Sequence, residues 1–317
     1  MTSFILKRLA TGVVLVWIVL TLIFVMLQTV PGDPAVQLLT GAGGGAVSPE
    51  AVEAMRAQLG LDLPVWQQYW NYLTGVFTGD LGTAFSDGRE VSAMILERLP
   101  RTLELVLLAV LLALLIGIPL GSLAARRGGL TDSSISVLTS IGMSVPVYII
   151  GTIFVLYLSI YLGWFPSGGF REINEDFIGH FTRLILPAVA LSLGIISIVS
   201  RMTRSAVLEN LQQDWVRTAR SWGLGEKKVF NKYVLRNSMT PVATVTGLQI
   251  GSLLGGTVLI EQVFIWPGLS SLLIESVVAR DFPVVQGIVI VLSVVFILIN
   301  LFVDILYGYL DPRVRTS

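Results

Sequence analysis

Cysteine is missing from this sequence of 317 residues, and histidine occurs once. The first absence removes disulfides, thiol catalysis and thiolate metal sites. With His180 alone, and no HExxH around it, neither zinc nor acyl-transfer chemistry has a natural site, and the residue reads as a single surface histidine just before an apolar run. No GxxxxGK[ST] phosphate loop is present either. Gly223-Leu-Gly-Glu-Lys lacks the spacing, so if work done by this chain consumes ATP, another chain must bind the nucleotide. Charge is scarce: 13% of residues are Asp, Glu, Lys or Arg against 54% hydrophobic, and the formal net charge is zero. That much apolar surface cannot be hidden in one soluble core. The chain reads as an integral membrane protein whose surroundings are a lipid bilayer and not a nucleic acid.

What is present in quantity is uninterrupted apolar sequence. Six uncharged runs stand out: Leu9–Val30, Leu105–Ala125, Ser133–Phe170, Leu184–Ser200, Asn237–Ile260 and Phe282–Val303. Each holds one helix of roughly 20 residues, the length demanded by a hydrocarbon core of about 30 Å. The third run, interrupted by Pro146 and Pro166, admits two short helices, but the lack of a charged turn favours one kinked or tilted span ending near Trp164. The expected fold is all-α, with six transmembrane helices. Lys7 and Arg8, Arg126 and Arg127, eight basic residues between Arg201 and Arg236, and Arg313 and Arg315 all fall on one side of such an arrangement, which makes both termini cytoplasmic. The first run is too long for a cleaved signal peptide, and no small-x-small site precedes Pro31. Residues 1–30 then form the N-terminus and first span, 31–100 a large external loop, and 101–317 a core of five spans with a cytoplasmic loop, 201–241, between the fourth and fifth.

In the external loop, Ser48-Pro49-Glu50 is a helix start and Gly60 a stop. Val65 to Phe77 carries Trp66, Tyr69, Trp70, Tyr72 and Phe77, which suits a helix at the bilayer interface or, equally, rings packed over the ends of membrane helices. Gly41 to Gly45 reads as a loop tip. Within the spans, Pro119, Pro146 and Pro187 each remove a backbone hydrogen bond, pointing to a bundle that bends or lines a passage. Gly247, Gly251, Gly255 and Gly256 let another helix approach closely, or face a pore. Ionisable residues in the spans are few. Glu104 and Glu261 lie near the outer interface, and Asp304 follows Asn300 by four residues on one helical face, a candidate inner gate. Interfacial placement or a structural hydrogen bond accounts for such groups, which disfavours an ion-coupled secondary carrier; a membrane scaffold that moves nothing is the other competing class.

The polar stretch Arg201–Pro241 is set between the fourth and fifth runs. Leu208, Leu211, Trp215, Ala219 and Trp222 recur at steps of three and four, predicting one helical face, with Arg204, Arg217 and Arg220 pointing elsewhere. Gly223 stops that helix, Gly225 follows, and a second short helix from Glu226 to about Asn237 is expected to present Val229, Phe230, Tyr233 and Val234. The outcome is a helix-turn-helix able to dock on a partner.

Here the residues resemble a family. The loop looks like the cytoplasmic "EAA" loop of permease subunits of bacterial ABC importers, with Thr218, Ala219 and Gly223 matching its small-small-glycine pattern. Arg217 replaces the usual Glu, and Tyr233, Leu235 and Arg236 replace Ile, Leu and Pro, departures that resemble the branch importing dipeptides, oligopeptides and nickel. Pro31-Gly32-Asp33-Pro34, Gly79-Asp80-Leu81-Gly82, Arg98-Leu99-Pro100, Glu261-Gln-Val-Phe264, Trp266-Pro267-Gly268-Leu269, Asp281-Phe-Pro283 and Asp311-Pro312-Arg313 extend the likeness, in order, over almost the whole chain and to the first of that branch's two permeases. The resemblance implies a non-catalytic permease of the bacterial inner membrane, paired with a second, homologous permease as a heterodimer, with two cytoplasmic ATP-binding subunits and an external substrate-binding protein. It implies no cofactor on this chain, ATP and Mg being held by the partner ATPases. The solutes implied are di- and oligopeptides, or nickel, glutathione or opines. The residues it assigns to ATPase coupling are Arg217, Thr218, Ala219, Arg220, Trp222, Gly223, Leu224 and Gly225.

Overall fold

The structure is a computed structural model, and it describes residues 2–29, 33, 35–36, 39 and 48–310. The glycines of 41–45, most of the Pro31–Pro34 motif, Asp311-Pro312-Arg313 and Arg315 lie outside the described residues. Among the described residues the chain forms twelve α-helices and two π-helical segments. In order these are α1 (Thr2–Thr29), α2 (Pro49–Gln58), α3 (Val65–Thr78), α4 (Val91–Arg127), α5 (Gly129–Ser144), α6 (Val147–Phe154) with a π segment Val155–Tyr161, α7 (Phe177–Leu211), α8 (Asp214–Ser221), α9 (Glu226–Lys228) with a π segment Val229–Val234, α10 (Leu235–Val263), α11 (Leu269–Ala279) and α12 (Phe282–Leu310).

Five helical stretches are long and apolar enough to cross a bilayer: α1, α4, α7, α12 and the continuous helix from Glu226 to Val263. A sixth crossing is available to α5 and α6 with its π segment taken together, but these are bent by 98° to each other. The single kinked span expected over the third run is thus two helices with a sharp break. Its cause is local. Val145, squeezed by the following proline ring, is extended at φ −88°, ψ 124°, and Pro146 brings no N–H to continue the helix.

The chain forms two compact units. One is built on Thr102–Pro267 with the end of α12 from Leu298. Its centre is α7, which runs through Pro187 and buries a face of small and branched side chains including Ala188, Ala190, Ser192, Ser197 and Ser200. Two glycines let α4 and α7 approach closely in this unit. A Cβ on Gly117 would meet Val199 Cγ1 at 2.8 Å, and one on Gly121 would overlap the Ser200 carbonyl oxygen and meet Thr203 Cβ at 2.7 Å. The α10 glycines behave unequally: a Cβ on Gly247 would overlap Val303, while Gly255 faces open space.

Polar groups in this unit are tied together. Glu261, fully buried on α10, accepts from Thr102 Oγ1 at 2.7 Å. His180 corrects the surface reading: it is 2% exposed. Its Nδ1 donates to the Arg171 carbonyl at 2.7 Å, since a carbonyl only accepts, and its Nε2 lies 2.6 Å from Glu104 Oε1. Phe170, Phe181 and Trp266 ring it edge-on. One buried histidine surrounded by rings leaves no periodic trace in sequence, which is why it passed for an exposed one.

The other unit comprises α1 from Lys7, α2, α3, the start of α4 to Arg101, α11 and α12 up to Ile297. Ser48 caps α2 through Ala51 N–H, and Gly60 (φ +65°) stops it as expected. Its core holds Ala84, Val91, Met94, Ile95, Leu269, Leu272, Val284 and Ile288. An isolated antiparallel bridge joins Thr83 to Glu90. The turn inside it is held by Asp281, whose carboxylate accepts from the N–H groups of Phe85 (3.0 Å) and Ser86 (2.9 Å). Asp281 is itself buried, and those two donors compensate the burial of its charge.

Replacing Gly121 by valine should therefore force α4 off α7 and lower the detergent melting temperature, an overpacking cost of about 1–3 kcal/mol. Gly255→Ala, with empty space in front of it, should melt at or slightly above the parent temperature.

Candidate functional site

The stretch 201–241 forms an elbow. α7 ends at Leu211, Gln212 and Gln213 break the helix expected to run through Trp222, and α8 resumes at Asp214. The break has a packing reason. Val207 and Val216 are nine residues apart, so on one continuous helix they would point about 180° from each other. With the break both enter the same small core, together with Val229, Phe230 and Val234. Ala219, Leu224, Leu211 and Trp215 pack around it. Arg126 at the end of α4 lies 4.6 Å over the Phe230 ring and closes one side.

Gly223 stops α8 as its sequence position indicates, and by a specific device. It takes φ +78°, while its N–H bonds the Arg220 carbonyl (2.9 Å) and the Leu224 N–H reaches back to Ala219 (3.3 Å). This is a Schellman turn, with Ala219 and Leu224 supplying the apolar contact beneath it. Nothing lies within 4 Å of where a Cβ on Gly223 would sit, so the demand for glycine is conformational and not one of space. Across the turn Arg220 Nε bonds Glu226 Oε1 at 2.7 Å, with Nη2 3.2 Å from Oε2. The α7 stem is fixed in turn by Arg204, which pairs with both oxygens of Asp132 at the start of α5 (2.5 and 2.6 Å).

The expected residues are therefore sorted by this core. Arg217, Thr218, Arg220, Trp222, Gly223 and Gly225 are exposed on the outer surface of the elbow, whereas Ala219 and Leu224 are partly buried on its underside. Trp222, 81% exposed, does not share the face of Leu211, Trp215 and Ala219, which pack on the elbow's core. Val229, Phe230 and Val234 are not presented outward either: they are the floor of the elbow, buried because a stem and an arm meet over them. Val216 was missed. Within α8 alone, Val216 stands three residues before Ala219 on one side, and reading Asp214–Ser221 as its own helix sets it there. Asn300 is partly buried on α12, and the side chain of Asp304 lies outside the described residues. Among the described residues no group of three or more His, Cys, Asp or Glu could hold a metal ion.

The profile of the family described as "Binding-protein-dependent transport system inner membrane component" matches residues 117–316, and that of its N-terminal region matches residues 1–106. A Brucella abortus (strain 2308) protein, named provisionally as a peptide transport system permease, is 44% identical over 316 residues, covering 99% of each chain. The dipeptide transport system permease protein DppB of Escherichia coli K12 is 40% identical over 340 residues, again covering 99% of each. In fold, the chain is similar to a solved structure of the MetNI methionine ABC transporter in an inward-facing conformation, with a TM-score of 0.56 and 17% identity over 69% of this chain and 96% of the other.

Emptying the elbow's floor with Phe230→Ala should cost about 3–5 kcal/mol locally and speed amide hydrogen exchange across α8. Trp222→Ala removes a side chain that contributes little to that core and should leave the exchange pattern as it was.

Proposed function

The chain belongs to the family of binding-protein-dependent transport system inner membrane components, and from that premise we propose that it is the transmembrane permease subunit of an ATP-driven ABC importer, forming half of a pathway for di- and oligopeptides. The names of its relatives support the peptide class. In this reading both termini and the 201–241 elbow face the cytoplasm, and 31–100 faces outward to meet a substrate-binding protein. A second, homologous permease completes the pathway. Two ATP-binding subunits hold ATP and Mg, and this chain performs no catalysis. An ion-coupled carrier loses ground because its obvious carboxylates are engaged, Glu261 by Thr102 and Glu104 by His180.

The observation that carries the proposal is an exposed, partly basic surface on a rigidly cored arm. An arm that merely connected two spans would need no core of its own. With one, a push on Trp222, Arg217 or Thr218 is delivered to the ends of α7 and α10, because Val207, Val216, Val229, Phe230 and Val234 join arm and stems into one body. Swinging a two-state permease from 1:99 to 99:1 takes about 5.5 kcal/mol of differential interaction. Closure of partner ATPases on ATP is a source of that size, and the elbow is the place where it enters.

Gly223→Val forces a β-branched side chain into a left-handed backbone that such residues scarcely adopt, and spoils the turn. In the assembled importer reconstituted into proteoliposomes, ATP hydrolysis should persist while dipeptide uptake falls at least about tenfold, a loss equivalent to roughly 1.4 kcal/mol of coupling. Normal uptake by this variant would sink the coupling assignment. For Asn300 and Asp304, proposed as an inner gate contact, the double alanine variant should raise basal ATPase activity or slow uptake; parent values in both would remove the gate.

A further inference from the structure

The aromatic helix α3 divides its rings between two environments. Tyr69, Tyr72, Leu73 and Val76 pack inward with Leu20, Ile23 and Ile290. Trp66, Trp70 and Phe77, in contrast, are 72%, 63% and 78% exposed. At about 100° per residue these three fall within an arc of about 40°, so they form one stripe along the helix. Over its fourteen residues α3 carries no charged side chain. The hydroxyls of Thr74 and Thr78 turn back to carbonyls of their own helix, at Trp70 and Asn71 and at Thr74 and Gly75.

The depth of this stripe can be measured along α1. Tyr69 Oη bonds Thr21 Oγ1 at 2.7 Å, the Tyr69 and Tyr72 rings lie 5.2 and 5.6 Å from that of Phe24, and Gln68 meets Gln28 at 3.2 Å. Thr21 to Gln28 is roughly 10 Å of helix. It leads up to the point where the apolar sequence of α1 gives way to Gln28 and Thr29 at the end of the helix. Leu22, Val25 and Met26 at the same level are exposed as well. An uncharged helix at the rim of a span, with indole and phenyl rings free on one side, has the composition of the zone where hydrocarbon gives way to headgroups.

We infer that α3 is a lipid-interface anchor: the Trp66-Trp70-Phe77 stripe beds among phospholipid headgroups and the first acyl carbons, while its tyrosines hold the helix to α1. This requires only that the chain cross the bilayer, and is independent of the solute carried or of coupling through the elbow.

The lack of native cysteine makes the test direct. Trp66→Cys, Trp70→Cys, Phe77→Cys and, from the polar side, Asn71→Cys and Thr78→Cys are each labelled with a nitroxide in the full chain, within the assembled importer in phosphatidylcholine liposomes. Spin relaxation is then measured with oxygen, which partitions into lipid, and with a water-soluble nickel chelate. Collisions with oxygen should exceed those with nickel at 66, 70 and 77, and the ratio should invert at 71 and 78. Exclusion of both reagents from the stripe would mean that a protein surface covers it, and nickel access equal to that at Asn71 would mean that it lies in water; either result overturns the anchor and leaves uptake-based readings untouched. In the unlabelled chain, lipids brominated near the headgroup should quench tryptophan more than lipids brominated near the methyl ends, and Trp66→Phe with Trp70→Phe should abolish most of that difference. An unchanged difference in the double variant would also overturn it.

Discussion

Five apolar side chains decide what the polar part of this protein is. Val207, Val216, Val229, Phe230 and Val234 meet where α7 ends and α10 begins, and they turn what would be a loose connection into a solid corner. Burying them stabilises the corner by the ordinary apolar transfer, about 25 cal/mol for each Å² removed from water. The geometry that results matters more than the sum. Because both stems contribute to one core, the arm cannot tilt without moving the helices, and the exposed residues around Gly223 inherit a fixed position. The Schellman turn at Gly223 and the ion pair of Arg220 with Glu226 set the sharpness of the corner, and the Arg204–Asp132 pair fixes the stem against α5.

The sequence motifs that extend the family likeness take on physical meaning in the same way. Glu261 holds Thr102, Asp281 gathers two backbone N–H groups of the turn before α4, and Trp266 closes the aromatic ring around His180. Gly79 ends α3 at φ +84°, and the Asp80 carboxylate accepts from Gly82 N–H at 3.0 Å. Glu261 and Asp281 sit where apolar helices must be joined and satisfy groups that burial would otherwise leave costly, while the exposed Asp80–Gly82 bond shapes the turn that follows α3. They are joints, and no chemistry has to be assigned to them.

Much of this was legible beforehand. Apolar runs located the long helices because lipid permits little else, and glycine and Ser-Pro signals located the stops at Gly60 and Gly223 and the start at Pro49. Direction of packing was not legible. Leu208 to Trp222 gave a consistent helical face only if the helix did not break, and the break at Gln212–Gln213 follows from a core that gathers residues from Val207 to Val234. His180 was misplaced for a related reason: its partners, Glu104 and the Arg171 carbonyl, are joined by topology and not by spacing. The close approach of α4 to α7 is written in Gly117 and Gly121, four residues apart, a spacing as plain as that of the glycines of α10.

The π segment Val229–Val234 sits between the arm and α10. A π turn accommodates one residue more than an α turn in the same rise, so everything before it is rotated by about 100° relative to everything after it. The compass bearing of the elbow about the axis of α10 is therefore encoded by a single surplus amino acid. Shortening the chain there by one would swing Val229 and Phe230 away from Val207 and Val216 and so dismantle the corner.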